Sequence, residues 1–113
     1  MDRIVLDFDG VLHDYSMGWN EGKIEGEPIE GSVEAFFELM KTYEVVVCTA
    51  RTNLDDVANW MMKHFKFTER LGYEYVPIIT NIKYPAHFYI DDRGIRFGDW
   101  DYTLKLIKSL EDK

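Results

Sequence analysis

The chain has 113 residues, of which 46% are hydrophobic, and its 13 basic and 21 acidic residues give a formal charge of −8. The apolar fraction is sufficient for the core of a single domain covering residues 1–113, and the length leaves no room for a second domain. The negative charge disfavours tight binding to duplex nucleic acid. A small phosphorylated ligand remains compatible with it if a metal offsets the local charge.

Cysteine content and hydropathy indicate the compartment. Cys48 is the only cysteine and lies inside an apolar run, so no internal disulfide can form and we expect an inert core residue. The longest apolar runs are too short to cross a membrane, and the N-terminus lacks a signal-peptide pattern. The sequence therefore predicts a soluble, cytoplasmic protein.

The first half of the chain is predicted to form a strand, a helix and a second strand. Residues 3–8 and 44–49 are short runs rich in β-branched side chains, which is typical of buried strands. A helix that begins at Gly31 or Ser32 is predicted between them, because apolar residues recur there at helical spacing. These residues are Val33, Phe36, Phe37 and Met40.

The second half continues the alternation. A helix is predicted over residues 53–64 with Thr52 as its N-cap, followed by strands at 75–80 and 86–91 and a last helix at 101–110. This order predicts an α/β fold of the three-layer, Rossmann-like type, with a mostly parallel central sheet and helices on both faces.

One long segment has no regular pattern. Residues 10–31 contain five of the eight glycines, and we call this segment the lid. An irregular segment of this length in a small domain is usually functional. Tyr15, Trp19 and Lys23 are its candidates for contact with a substrate.

Polar residues close each predicted strand. They are Asp7 and Asp9 after the first strand, Thr49 and Arg51 after the second, Asn81 and Lys83 after the third, and Asp91 and Asp92 after the fourth. The carboxyl ends of parallel strands meet at one edge of the sheet, where ligands bind. Several carboxylates there repel one another unless a hard cation lies among them, and oxygen ligands of this kind suit Mg²⁺.

Each group also has a purely structural interpretation. Asp7-Phe8-Asp9-Gly10 and Asp91-Asp92-Arg93-Gly94 are both patterns typical of turns. Thr49 could begin the cap of the next helix, and Lys83 could be a solvated loop charge. The combination of all four groups at successive strand ends favours a functional site.

The four groups together resemble a known family. "DFDGV" at 7–11, "VVVCTAR" at 45–51, Lys83 and "YIDDRG" at 89–94 resemble the four ordered motifs of the haloacid dehalogenase (HAD) superfamily, and the resemblance spans nearly the whole chain. It implies an HAD-like domain, and this chain is too short for the large cap domain of many members.

The resemblance also implies a role for each residue. Asp7 is the expected nucleophile, Asp9 the general acid and base, Thr49 and Lys83 the phosphate-binding groups, and Asp7, Asp9, Asp91 and Asp92 the Mg²⁺ site, with Asp9 contributing its backbone carbonyl. We expect Asp91 to bind the metal directly and Asp92 through water or as an orienting group, because adjacent residues of a strand point to opposite sides. Lys63 and Lys66 are alternatives to Lys83.

The chemistry of these residue types agrees with an Mg²⁺-dependent phosphomonoester hydrolase. A carboxylate can attack phosphorus only if the charge of the phosphate is screened, and the metal, Lys83 and Thr49 supply that screening. Attack by Asp7 gives an aspartyl phosphate. Asp9 then protonates the leaving oxygen and later activates water.

The substrate is less defined than the reaction. Members without a cap resemble enzymes that accept bulky phosphorylated partners, and such members can also close their sites by oligomerising. Aromatic rings of the lid beside Lys23 and Arg51 favour a nucleotide or a nucleic-acid end over a sugar phosphate, with Arg51, Arg93 and Arg96 as further phosphate-binding candidates at the rim.

The alternative function is a phospho-accepting regulatory domain of receiver type, without turnover. Receivers also gather acidic residues, a threonine and a lysine around Mg²⁺ at the strand ends of a parallel sheet. In a receiver the acceptor lies on a later strand, whereas Asp7 follows the first strand and has Asp9 two residues on.

Overall fold

The structure, a computed structural model, describes residues 2–82, 85–91 and 95–111. Its strands and α-helices are β1 (Asp2–Asp7), α1 (Ser32–Met40), β2 (Tyr43–Cys48), α2 (Leu54–Phe65), α3 (Phe67–Leu71), β3 (Ile78–Thr80), β4 (Phe88–Asp91), β5 (Ile95–Arg96) and α4 (Trp100–Glu111). They follow one another in the order predicted, with three additional short elements, namely α3, β5 and a 3-10 helix of one turn at Asn20–Gly22 in the lid.

The strands form one sheet with the order β3-β2-β1-β4-β5. Strand β1 lies at its centre and pairs in parallel with both neighbours, so that Val5 stands opposite Val46 on β2 and Tyr89 on β4. Strand β3 pairs in parallel with β2. The prediction of an α/β fold with a mostly parallel sheet is therefore confirmed.

The helices pack against one face of the sheet. Their buried apolar side chains share a single core with Ile4 and Leu6, whereas Val5 and Val46, which alternation turns to the opposite face, are buried outside that core. Crossovers between parallel strands follow a right-handed rule, which for β1 to β2 and β2 to β3 puts α1 and α2 on the same face. The return to β4 contains no helix in its described part. The expectation of helices on both faces is thus not met in the described residues.

The starts of α2 and β3 are among the element boundaries that differ from the prediction. The N-cap of α2 is Asn53 rather than Thr52, and Thr52 takes part through its carbonyl, which accepts the Leu54 amide at 3.0 Å. Strand β3 begins only at Ile78, because Pro77 has no amide hydrogen to donate to a ladder.

The short helix α3 was not predicted. Lys66, in a left-handed conformation, ends α2 and at the same time begins α3. The ring of Phe67 is fully buried against Phe36 and Phe65, at centroid distances of 5.3 and 5.6 Å, so burial of this ring holds a helix of only one turn.

No helix in the described part of the chain combines the length and the apolar character needed to cross a membrane.

Candidate active site

A cleft lies at the carboxyl end of the sheet. Its volume is about 320 Å³, and it is lined by residues of β1, β2 and β4 and by residues that directly follow β2 and β3. The lining residues are Val5, Asp7, Cys48, Thr49, Ala50, Asn81, Tyr89 and Asp91. Four of the predicted strand-end residues, Asp7, Thr49, Asn81 and Asp91, therefore share one cleft.

Asp7 and Asp91 are the last residues of the neighbouring strands β1 and β4. The ladder ends at the pair of Leu6 and Ile90, and each aspartate follows that pair directly. Both side chains are partly exposed and line the cleft. The amide of Phe8 donates to Oδ1 of Asp7 at 3.0 Å, which stabilises a negative charge on that carboxylate.

Thr49 lies directly after β2 and is held on both sides. Its amide donates to the Thr80 carbonyl at 2.9 Å, and its Oγ1 accepts the Arg51 amide at 3.1 Å. The residue is 3% exposed, yet it lines the cleft. Because Oγ1 is used as an acceptor, the hydroxyl hydrogen can be donated to a phosphate oxygen.

Cys48 differs from the prediction of a core residue. It is half-buried as the last residue of β2 and lines the cleft. The apolar run that suggested a core position ends at this residue, and the strand end opens the side chain to the cleft.

Two side chains, those of Arg51 and His13, form hydrogen bonds with the carboxylate of Asp9. Arg51 donates from Nε to Oδ2 at 2.8 Å and from a terminal nitrogen to Oδ1 at 3.1 Å, which is the planar, two-point pairing that guanidinium and carboxylate prefer. His13 contacts Oδ1 through Nδ1 at 2.8 Å. The carboxylate of Asp9 is thus directed at Arg51 and His13.

The hydrogen bonds of His13 define its tautomer. Its Nε2 accepts the Gly26 amide at 3.0 Å, so the ring proton lies on Nδ1 and is donated to Asp9. The ring is 3% exposed and stacks on Phe8 at 5.2 Å. His13 was not predicted as a site residue, and its only signal in the sequence is its place four residues after Asp9 of the first motif.

The lid folds back over Arg51. The guanidinium carbon of Arg51 lies 4.9 Å from the ring centre of Trp19 and 5.8 Å from that of Tyr15. Trp19 is 54% exposed, so a large part of its surface still faces solvent. Lys23 lies elsewhere, in a second cleft of about 590 Å³ between the lid and α2.

The prediction that Arg51 binds phosphate remains a prediction. Arg51 is 2% exposed, and its guanidinium donates to Asp9 and to the Gly22 carbonyl. In this arrangement the side chain links the site to the lid.

His64 borders the second cleft and packs on Trp60 at 4.6 Å. Burial lowers the pKa of His64 from its ordinary value, which favours the neutral ring. Its Nδ1 lies 3.8 Å from a carboxylate oxygen of Glu27 in the lid.

Gly26 anchors the base of the lid. Its amide donates to His13, and its carbonyl accepts the indole N–H of Trp60 at 2.9 Å. A Cβ at this position would lie 2.8 Å from Nε2 of His13 and closer still to the Asp14 carbonyl oxygen. Backbone at so short a distance leaves no space for a side chain.

Gly26→Ala should therefore lower the free energy of unfolding by about 1–3 kcal/mol, the usual effect of overpacking. Chemical denaturation followed by circular dichroism measures this change. Gly98→Ala is the matched control, because the nearest atom to a Cβ there is Cδ1 of Tyr102 at 3.6 Å. Equal stability of the two variants would contradict the close packing of Gly26.

Other predicted site residues lie outside the described residues or away from the first cleft. Lys83, Asp92 and Arg93 lie outside the described residues, as does the side chain of Arg96. Lys63, an alternative to Lys83, lines the second cleft, and Lys66 lies at the junction of α2 and α3. Both lie at the C-terminal end of α2, and neither lines the cleft that contains Asp7.

No protein-family model matches this chain, and a search of curated proteins found no match either.

Proposed function

We propose that this protein is an Mg²⁺-dependent phosphomonoester hydrolase of HAD type that acts through an aspartyl phosphate on Asp7. The observation that supports it most is the shared cleft of Asp7, Thr49 and Asp91 at the carboxyl end of the sheet. A nucleophile, a hydroxyl donor and a second carboxylate thereby border one space large enough for a phosphoryl group.

The reaction has two steps. A carboxylate oxygen of Asp7 attacks phosphorus, the bond from phosphorus to the leaving oxygen breaks, and that oxygen takes a proton from Asp9. Asp9, now ionised, removes a proton from water, which attacks the phosphorus of the aspartyl phosphate. Inorganic phosphate leaves, and both Asp7 and Asp9 return to their starting forms. The Thr49 hydroxyl donates to an oxygen of the transferring group in both steps.

The residues of the cleft fit Mg²⁺. Proteins usually hold this ion through one or two carboxylates together with waters and substrate phosphates, and Asp7 and Asp91 provide two such carboxylates. The described residues include no group of three or more His, Cys, Asp or Glu side chains that could hold a metal. The proposed ligands are Asp7, Asp91 and the backbone carbonyl of Asp9, and Asp92 lies outside the described residues. When bound, Mg²⁺ supplies the positive charge that screens the phosphate.

Asp91→Asn should raise the Mg²⁺ concentration for half-maximal activity by about 100-fold or more. Loss of a residue that only orients a metal ligand already costs about 10–100-fold in metal affinity, and Asp91 is proposed to bind the ion directly. The amide keeps the size of the side chain but removes the charge that attracts the ion. The check is a titration of activity with Mg²⁺. Asp99→Asn, an exposed aspartate before α4, is the control and should titrate like the unmodified protein. An unchanged requirement in Asp91→Asn would remove Asp91 from the metal site.

A panel of phosphomonoesters tests the proposal itself. Nucleotides, 5′-phosphorylated oligonucleotides, sugar phosphates, phosphopeptides and p-nitrophenyl phosphate are assayed for phosphate release with Mg²⁺ and with excess chelator. We expect release that requires Mg²⁺, with nucleotides or oligonucleotide ends preferred because the exposed Trp19 ring can stack on a base. Absence of release from every ester would contradict the proposal.

A second candidate function, the phospho-accepting domain without turnover, is favoured by one observation. The carboxylate of Asp9 accepts hydrogen bonds from Arg51 and His13 rather than facing the cleft. If Arg51 and His13 keep both Asp9 oxygens occupied through the second step, the aspartyl phosphate lacks a base for hydrolysis and persists. In the hydrolase, the contact with Arg51 orients Asp9 while one carboxylate oxygen is left to take the proton. Multiple turnovers per protein molecule distinguish the hydrolase from this candidate.

A further inference from the structure

The guanidinium of Arg51 contacts Asp9, the proposed acid and base, and also the tip of the lid, which is the turn at Asn20–Gly22. Arg51 forks onto the two oxygens of Asp9 at 2.8 and 3.1 Å, and its third nitrogen donates to the Gly22 carbonyl at 3.0 Å. The ring of Trp19 lies over the same group at 4.9 Å. Asp9 and the lid therefore share one partner.

Arg51 is suited to this double contact. Its planar group carries donors in a fixed geometry, so a carboxylate, a carbonyl and an aromatic face can be engaged together. At 2% exposure, a cation that lost Asp9 would remain buried without its counter-charge, which is costly. The position of Arg51 consequently depends on Asp9, and Gly22 and Trp19 in turn contact Arg51.

The tip of the lid needs external support to keep its shape. Asn20 and Glu21 both adopt positive φ, at 43° and 57°, and non-glycine residues rarely occupy this region in succession. The carbonyl of the next residue, Gly22, accepts from Arg51 at 3.0 Å and from the Asn53 amide group at 3.1 Å. These two donors hold a tip whose own backbone preferences oppose its conformation.

We infer that Arg51 is a positioning residue that couples closure of the lid to the orientation of Asp9. With the lid closed, Arg51 fixes the plane of the Asp9 carboxylate. When the lid opens, Arg51 loses Gly22 and Trp19, and the fork on Asp9 loosens with it. The coupling itself is structural, and its consequence for catalysis rests on the proposed function.

Limited proteolysis measures the coupling without any assay of activity. Lys23 is exposed next to the lid tip, so trypsin cleavage after it reports opening of the lid when opening is fast relative to cleavage. Formation of the fragment 1–23 is followed by mass spectrometry in four proteins: unmodified, Arg51→Gln, Asp9→Asn and the double variant. Arg70→Gln is the matched control. Arg70 also lies over an aromatic ring, that of Phe37 at 5.1 Å, but its carboxylate partner is Glu34 on α1 and not a residue of the lid.

Each single substitution should raise the cleavage rate about tenfold, the effect of losing one charge-assisted hydrogen bond. The double variant should match Arg51→Gln within about twofold, because Arg51 is the residue that links Asp9 to Gly22 at the tip of the lid, whereas the contact of Asp9 with His13 lies near Gly26, away from that tip. Arg51→Lys keeps the charge but cannot fork, and it should open the lid as Arg51→Gln does. This conservative variant covers the case in which Arg51→Gln does not fold. Multiplicative effects in the double variant, or rates equal to that of Arg70→Gln, would overturn the coupling.

A parallel cycle on turnover connects the coupling to catalysis. Arg51→Gln should lower kcat on the order of 10²-fold, the effect of a misplaced catalytic group, and should change kcat by no more than about twofold when Asp9 is already asparagine. If Arg51 were needed only for folding, Arg51→Gln would lower kcat by the same factor in the unmodified protein and in Asp9→Asn. That result would overturn the catalytic role of the coupling. If proteolysis shows the coupling but no protein releases phosphate, the coupling stands and the proposed function fails.

Discussion

Asp7→Asn should abolish phosphate release, with a loss on the order of 10⁴–10⁶-fold as seen when a nucleophile is removed. The amide has nearly the shape of the carboxylate and can still accept the Phe8 amide at Oδ1, so β1 should form normally. It lacks the negative charge and the nucleophilicity needed to attack phosphorus. Steady-state assays with the best ester of the panel, beside circular dichroism, measure both effects.

Asp101→Asn is the control for this substitution. Asp101 is exposed in the first turn of α4 and pairs with Lys105 at 3.0 Å, a surface contact of small energetic value. Its variant should keep full activity. Substantial activity in a well-folded Asp7→Asn protein would show that another group carries the phosphoryl transfer.

Asp9→Asn should lower kcat on the order of 10²–10⁴-fold, the usual contribution of general acid and base catalysis. The loss should depend on the leaving group. An alkyl alcohol needs the proton of Asp9, whereas p-nitrophenolate leaves without it, so the first step with p-nitrophenyl phosphate should stay fast. The second step needs a base for every ester, and the aspartyl phosphate should therefore accumulate in this variant.

Rapid-quench kinetics separate the two steps. Asp9→Asn should give a burst of p-nitrophenolate followed by slow turnover, and Asp55→Asn, which changes an exposed aspartate in α2, should behave like the unmodified protein. An unchanged rate with an alkyl phosphate would exclude Asp9 as the acid. Loss of the burst itself would mean that Asp9 serves the first step in another way, for example by shaping the site through Arg51.

The sheet and the cleft could be predicted because they follow from strong local patterns. Runs such as Ile4-Val5-Leu6 have no favourable alternative to burial in a parallel sheet, and the parallel topology then brings Asp7, Thr49 and Asp91 to one edge. Helix α3 escaped prediction because it is held by burial of Phe67 in an aromatic cluster, which is a tertiary effect.

The partners of Asp9 could not be predicted from spacing. Arg51 lies 42 residues away in the chain, and His13 depends on a lid whose path is set by single contacts, such as Trp60 with Gly26. A helix or strand period reports which face of an element is buried, but it carries no information about the path of an irregular segment. The sequence therefore predicted only which lid residues could contact a substrate, namely Tyr15, Trp19 and Lys23. The structure shows the rings of Trp19 and Tyr15 against Arg51.

The central claim is that Asp7 becomes phosphorylated during turnover. The most direct test treats Asp9→Asn with p-nitrophenyl phosphate and Mg²⁺, quenches the reaction with acid, reduces the acyl phosphate with borohydride and maps the product by mass spectrometry. Reduction converts a phosphorylated aspartate to homoserine, and we predict homoserine at position 7, at close to one per protein molecule, and none in the Asp7→Asn, Asp9→Asn double variant. Homoserine at another aspartate, or turnover of the ester with no homoserine at any position, would contradict the account.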